Sequence, residues 1–457
     1  MSSETRLTAR LAEFATGLRY KDLPSPAVHE VKRALLDFTG VALLGAHHKI
    51  VDLLLAHLAQ LRGRKTTTGK TGGTVIGRVE RVDPVSAAWV NGSMGHVYDF
   101  DDVHSAAGIH PGIVIVPPSL AAGEWSRASG RTLIAAMAAG YEVAGRVGEA
   151  TQLTHYEPGW HSTGTVGTLG AAAAASNLLK LDAAQGNHAL GIAASEAAGL
   201  RVSFGSMMKS LHAGNASANG VRAAFLAASG FTGPEAGLEG ARGFLEVACG
   251  AVTGDAIVAG LGRDYCFTRK GYKLYSCGGV VHPALDAALA LRSQLTGRME
   301  RIRRIHAVVH PQVLEQMRVR EPATGMQSKF SPYHAIAVTM LDGAALPGQF
   351  TDARAAMPDV TALRRKVEVE CDPGVRKDET RMTVTLDDGA LLASHTEHAR
   401  GYSPDNPPSD AELQEKFMGL AAPVLGDGQA RELSMRIWAM EDEKNTRRYM
   451  QLCRPAD

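Results

Sequence analysis

Apolar residues recur at helical spacing along most of the chain. Val28, Val31, Leu35 and Phe38 fall three to four residues apart, which predicts an amphipathic helix burying one face. Ser25-Pro26 just upstream reads as an N-cap followed by proline at the first helical position. Val51 to Leu61 and Val85 to Met94 repeat the pattern. Beyond Pro117-Pro118, the runs Leu120 to Trp125 and Leu133 to Val147 are apolar and rich in small residues. Val166 to Leu179, Leu190 to Leu200 and the stretch leading from Lys209 through Leu226 add further helices. The period changes after roughly Tyr265. Ile302 to His310, Val367 to Glu370 and Met382 to Leu386 alternate apolar and polar residues, as half-buried strands do. Asp387-Asp388-Gly389 then supplies a hairpin turn into Leu391-Leu392. After the proline-rich stretch Pro404 to Pro408, Ser409 caps a return to helix over Ala411 to Leu420 and Ala430 to Met440. The pattern predicts a mainly α protein. A large all-helical domain (1–267 and 400–457) is formed from both chain ends, and a smaller α+β lid domain (268–399) is inserted between them. A cleft between two such domains is a favoured place for a small-molecule site.

Composition narrows the function. A chain of 457 residues is too long for one ordinary core, in keeping with two domains. Its 48 basic and 47 acidic residues nearly cancel, so no net field favours nucleic acid or an anionic membrane, and any pull on an anionic ligand must be local. The five cysteines form no C-x-x-C pair and are odd in number. That spacing argues against a zinc knuckle, a cubane cluster or a disulfide framework, and fits a reducing cytoplasm. The N-terminus shows no basic-then-apolar leader and no run reaches membrane-spanning length, so the expectation is a soluble cytoplasmic protein. Gly69-Lys70-Thr71 invites a phosphate-loop reading, but the upstream glycine spacing and the preceding parallel strand are missing.

The densest chemistry lies between Tyr98 and Gly112. Asp99, Asp101, Asp102, His104 and His110 stand there between two apolar helical runs. Loops held by a rigid scaffold are where reactive groups are usually placed. Aspartates so spaced can chelate magnesium, yet no second acidic motif of comparable density follows. The plain structural alternative is that one aspartate caps a helix and another pairs with an arginine. His110 precedes Pro111, which pushes its backbone towards an extended form. His161 precedes Ser162 and Thr163, either of which can cap the next helix and leave the imidazole beside unpaired N–H groups. Histidine suits proton transfer beside a carboxylate because its pKa lies near working pH. Lys209 follows Met207 and Met208, and Lys273 stands between Tyr272 and Leu274, so both look like receptors for a polycarboxylate rather than solvated lysines. His212 and His282, in similar settings, read as packing or supporting residues.

These blocks taken together resemble the MmgE/PrpD family, which contains 2-methylcitrate dehydratase, cis-aconitate decarboxylase and iminodisuccinate epimerase. The resemblance is carried by Asp99-Phe100-Asp101-Asp102 with His110-Pro111, by Gly159-Trp160-His161-Ser162-Thr163-Gly164, and by Lys209-Ser210-Leu211-His212-Ala213-Gly214. It continues through Gly230-Phe231-Thr232-Gly233-Pro234, Lys273-Leu274-Tyr275-Ser276-Cys277-Gly278 and Phe330-Ser331-Pro332-Tyr333, and ends before Lys416-Phe417. It implies a helical domain with an α+β lid, a homodimer, no cofactor and no metal. It also implies a lyase acting on a small di- or tricarboxylate by proton abstraction next to a carboxylate. Asp99, His110, His161, Lys209 and Lys273 match the family's catalytic positions, with Tyr333 and His104 expected to bind substrate. Asp99 would orient a histidine or lysine, the two lysines would neutralise substrate carboxylates, and the histidines would serve as base and acid in an order left open.

The main expectation is a dehydratase resembling 2-methylcitrate dehydratase. The alternatives are an epimerase, a decarboxylase or a non-catalytic carboxylate-binding protein. Val103 stands where the family's dehydratases and decarboxylases commonly carry threonine, so a hydroxyl beside the substrate is missing. That departure leaves room for a carboxylate other than 2-methylcitrate.

Overall fold

The computed structural model describes residues 6–62, 72–250 and 254–455; the Gly69-Lys70-Thr71 triplet lies outside them. Helices of ten or more residues are numbered in chain order. The first part contains α1 (Leu7–Gly17), α2 (Ser25–Gly45), α3 (Lys49–Arg62), α4 (Pro84–Gly95) and α5 (Gly112–Ser126). It continues with α6 (Gly130–Thr151), α7 (Ser162–Leu178), α8 (Ala183–Ser195) and α9 (Met207–Ala228). One apolar core gathers side chains from Leu7 to Tyr272 and again from Leu413 to Cys453. At its centre α7 is buried along its whole length and packs against α5, α6 and α9. Small residues make this possible. Gly140 of α6 and Gly170 of α7 face each other so closely that a Cβ on either would stand 2.7–2.8 Å from the other's carbonyl oxygen. Around these contacts each fully buried Leu, Val or Ile contributes about 1.5–3 kcal/mol.

The structure starts α5 before Pro117-Pro118, not after them. Proline at 117 removes the N–H that would bond the Ile113 carbonyl. Ser217 Oγ of α9 donates to that oxygen instead, at 3.2 Å, so a neighbouring helix supplies the missing donor. The α2 helix opens at Ser25 itself, with Pro24 as its N-cap.

A second apolar core runs from Tyr275 to Leu386. Its sheet contains β1 (Ile302–Val309), β2 (Val367–Cys371), β3 (Thr380–Leu386) and β4 (Leu391–Thr396), in the order β2-β1-β3-β4. The β1 and β2 strands are parallel; the other pairs are antiparallel. Two helices, α10 (His282–Gln294) and α11 (Pro332–Asp342), pack on the sheet and on each other. Burial alternates along β1 and β3, as the period-two sequence pattern requires. The chain then returns to α2 through α12 (Asp410–Leu425) and α13 (Asp427–Trp438). The Ser409 and Glu412 side chains form the capping box that opens α12. No single helix among the described residues is long and apolar enough to cross a membrane, and all five cysteines are free.

Candidate active site

The loop from α4 to α5 is built so that its three aspartates face three different partners. Asp99 has φ +52°, in the left-handed region that Asp tolerates better than most residues. Its Oδ1 accepts from Lys209 Nζ at 2.6 Å and lies 2.9 Å from Lys273 Nζ. Lys273 Nζ also donates to the Asp99 carbonyl at 3.1 Å. A short antiparallel ladder explains the approach of Lys273: Asp102 pairs with Tyr272 and Val103 with Gly271, so the next residue continues along the Asp99–Asp101 segment and its side chain reaches Asp99. Lys209 arrives differently, from the first turn of α9. Its ammonium lies over the rings of Phe204 and Phe330, at 5.4 and 5.6 Å from their centres.

Asp101 takes the histidines. Its Oδ1 lies 2.9 Å from His96 Nδ1, and its Oδ2 lies 2.8 Å from His110 Nδ1. Asp102 holds the frame: Oδ1 accepts from the Gly112 N–H at 2.7 Å, while Oδ2 pairs with Lys270 at 3.1 Å. A Cβ at position 112 would stand 2.6 Å from Asp102 Oδ1, so a larger residue at this helix start would displace that carboxylate. One aspartate thus does cap a helix, as the structural alternative supposed; the partners of the others are lysines and histidines rather than an arginine.

His161 is itself the N-cap of α7, one residue earlier than its neighbours' cap propensities suggest. Its N–H donates to the Gly199 carbonyl at 3.0 Å. Thr163 Oγ instead accepts from the His110 N–H at 3.1 Å, which ties the two histidine segments together. Asp99, His110, His161, Lys209 and Lys273 line one cavity. Val103, Ile109, Val280 and Met317 give that cavity apolar walls, and Gln152, Gln312 and Gln316 add amide groups.

Charge is distributed unevenly in this space. Burial alone would push the Asp99 carboxyl up, but the Lys209 and Lys273 ammoniums outweigh it and hold the group well below the usual carboxylate range. The two lysines diverge. Burial lowers Lys209, and Asp99 offsets this only partly because Lys273 stands beside it. For Lys273 burial is outweighed by Asp99 and Asp101, and its pKa is raised. Lys209 therefore gives up its proton more readily, while Lys273 remains a fixed cation. Burial drives His161 well below its ordinary value, helped by Lys209 and the neighbouring histidines, so the ring rests neutral. Burial likewise holds His96 near 3 despite Asp101.

Two expected substrate contacts lie elsewhere. Tyr333 does not line the cavity; its ring packs in the second core, with the Arg320 guanidinium 4.9 Å from the ring centre. His104 does not line it either. It closes a tight loop, its N–H donating to the Ile109 carbonyl at 2.9 Å, and its Nε2 lies 3.1 Å from Glu149. Nothing in the residue pattern marked His96, or Lys329, whose Nζ donates to the Val97 carbonyl at 2.7 Å, or Lys416 as an organiser. Lys416 Nζ donates to Asp37 Oδ1 at 2.7 Å and to the carbonyls of Phe100 and Lys273 at 2.6 and 2.9 Å, so it grips both segments that flank Asp99.

His96, Asp99, Asp101 and His110 bring potential metal-donor atoms within 4.8 Å of one another. Each of these four residues already pairs through one of its atoms with a neighbouring histidine, aspartate or lysine, and two ammoniums stand within 2.9 Å of Asp99 Oδ1. A dication would be repelled there unless the lysines withdrew. The donor set fits a self-neutralised acid–base cluster better than a metal centre.

The chain is similar to known proteins. A model of the MmgE/PrpD N-terminal domain matches residues 9–254, and a model of the C-terminal domain matches residues 275–441. The cis-aconitate decarboxylases of Mus musculus and Homo sapiens are each 34% identical over 244 residues, 52% of this chain and 49% of theirs. A cis-aconitate decarboxylase-like protein of Aspergillus oryzae is 32% identical over 241 residues, 50% of this chain and 48% of its own. The chain thus spans about half the length of the curated relatives it matches. Two domain models, matched in order across the helical body and the sheet-bearing part, place this chain in the MmgE/PrpD family.

Proposed function

We propose that the chain is a lyase that removes a carboxylate from a small unsaturated di- or tricarboxylate, with cis-aconitate the leading candidate. The observation that carries this reading is Asp99 clamped between Lys209 and Lys273 at the edge of a cavity also lined by His110 and His161. Dehydration, the first expectation from sequence, yields to decarboxylation because the similar proteins named above are cis-aconitate decarboxylases or are named for their likeness to one.

The chemistry follows from the groups present. Lys273, the fixed cation, and Lys209 neutralise the carboxylates that stay. Val103, Ile109 and Val280 exclude water from the carboxylate that leaves, which favours loss of its charge as CO2. As that C–C bond breaks, its electron pair enters a shifted C=C bond, and the far carbon of the original double bond takes one proton from the site. A trianion plus one proton becomes a dianion plus CO2. Asp99 holds the lysines in register for both events. Exposed Val202, Met207 and Met208 flank the start of α9 and offer an apolar surface for a second copy, so a homodimer is part of the proposal; light scattering tests it.

Purified protein offered cis-aconitate, 2-methylcitrate, citrate and iminodisuccinate in D₂O, with and without EDTA, tests the reading by proton NMR. It predicts CO2 release from cis-aconitate with one deuteron entering the product, unchanged by EDTA. Turnover restricted to 2-methylcitrate, or activity abolished by EDTA and restored by magnesium, overturns it.

A further inference from the structure

Behind the cavity, His161 Nδ1 and His212 Nδ1 lie 3.0 Å apart, and both rings are buried. Two imidazole Nδ1 atoms at that distance bond only when one carries a proton and the other presents a lone pair. The tautomers of the two rings are therefore coupled: fixing one fixes the other. Both rings rest neutral, since burial lowers His212 as it lowers His161 and the Lys209 ammonium lowers both.

Resting on the proton-transfer role proposed above, we infer that His212 is a positioning residue. It accepts the Nδ1 proton of His161 and so leaves Nε2 as the nitrogen that trades a proton with substrate. Two observations select this tautomer over its mirror. His161 lines the cavity and its Nδ1 is turned to His212, so its second nitrogen looks the other way, towards the substrate space. That space holds the Lys209 and Lys273 ammoniums, which favour a lone pair facing them over an N–H dipole.

The consequence separates the two cavity histidines. His110 Nδ1 lies 2.8 Å from a carboxylate oxygen of Asp101, whereas His161 has only a neutral ring behind it. As substrate carboxylates enter, Nε2 takes up one proton from solvent, the proton that each turnover consumes, and the imidazolium so formed at His161 is stabilised by one neutral acceptor and no counter-charge from the protein behind it. It therefore hands its Nε2 proton to a substrate carbon readily, returning to the neutral Nδ1–H form. The bond to His212 persists throughout; only the Nε2–H bond breaks, and its proton ends on carbon. His161 is on this account the proton donor to carbon, and His110 with Asp101 the group that stays paired with a substrate carboxylate.

The test is nitrogen NMR of ¹⁵N-histidine-labelled protein without substrate, followed by kinetics. The wild-type spectrum is expected to show His161 with a protonated Nδ1 and a bare Nε2; a protonated Nε2 with a bare Nδ1 overturns the proposal without touching the decarboxylase reading. His212→Leu, which keeps bulk but offers no acceptor, should move His161 to the Nε2–H form and lower kcat about a hundredfold with little change in KM. His212→Asn places an amide oxygen near the lost Nδ1 and should restore kcat to within about tenfold of wild type. Equal losses in both variants, or an unchanged His161 spectrum in His212→Leu, would show His212 to be packing alone. Should His212→Leu fail to fold, the wild-type spectrum and the Asn variant still decide.

Discussion

Asp99 and Asp102 stand three residues apart, both buried and both facing lysine, yet they form two different regions. Around Asp99, two ammoniums meet one carboxylate and the carboxyl is held well below the ordinary range. Around Asp102, Lys270 is shared with Glu30 at 2.9 Å, and Asp37 and Asp101 lie near. Burial therefore wins there, and Asp102 is pushed up to about 6 despite Lys270. Asp99 lines the cavity and Asp102 does not. The difference shows that burial alone does not mark chemistry. What marks it is an excess of cations around a carboxylate that substrate can reach.

The largest effects should fall on the Asp99 side. Lys273→Met should lower kcat/KM for the accepted carboxylate about a thousandfold, measured by steady-state turnover. Asp99→Asn should match that loss and also destabilise the fold by about 3–5 kcal/mol in urea titrations, since two buried ammoniums lose their counter-charge. Asp102→Asn breaks the comparison most usefully. Its amide oxygen can still accept from Gly112, and Lys270 keeps Glu30, so stability should fall by about 1 kcal/mol or less and turnover by less than about threefold. Equal damage from both asparagine variants would show that the two regions do the same work.

Acid should reveal the same asymmetry. His96 and His282 are held near 3 by burial, and His161 well below its ordinary value. Between pH 3 and the ordinary histidine value of about 6.5, the unfolded chain binds protons that the folded chain refuses. Stability from these rings is thus complete above about 6.5 and falls on acidification. Asp102 acts with opposite sign: folded protein holds its proton up to about 6, so its contribution weakens as pH rises through that value. The rings outnumber it, and urea midpoints should drop steadily from pH 7 to pH 4.

Much of this was legible in the residues themselves. Period 3.6 and period 2 located the helices and strands, because each element buries one face. Asp99, His110, His161, Lys209 and Lys273 stood out as polar groups in apolar settings. Lys416 did not: its contacts with Phe100 and Lys273 join positions far apart in sequence, and a helix-surface lysine carries no local mark of what its ammonium will reach. The helix through Pro117-Pro118 was hidden for the same reason, since its compensating donor is Ser217 on α9. His104 and Tyr333 show the converse. Proximity to reactive residues in sequence, or a place in a shared motif, does not turn a side chain into the cavity. His104→Gln and Tyr333→Phe should accordingly change kcat and KM by less than about threefold, the smallest effects expected here.

The central claim is that the Asp99-centred cations receive substrate carboxylates. Calorimetric titration with tricarballylate, the saturated and unreactive analogue of cis-aconitate, tests it most directly. The account predicts one site per chain in the wild-type protein and binding at least about thirtyfold weaker in Lys273→Met, near 2 kcal/mol. Equal affinity in the two proteins would contradict it.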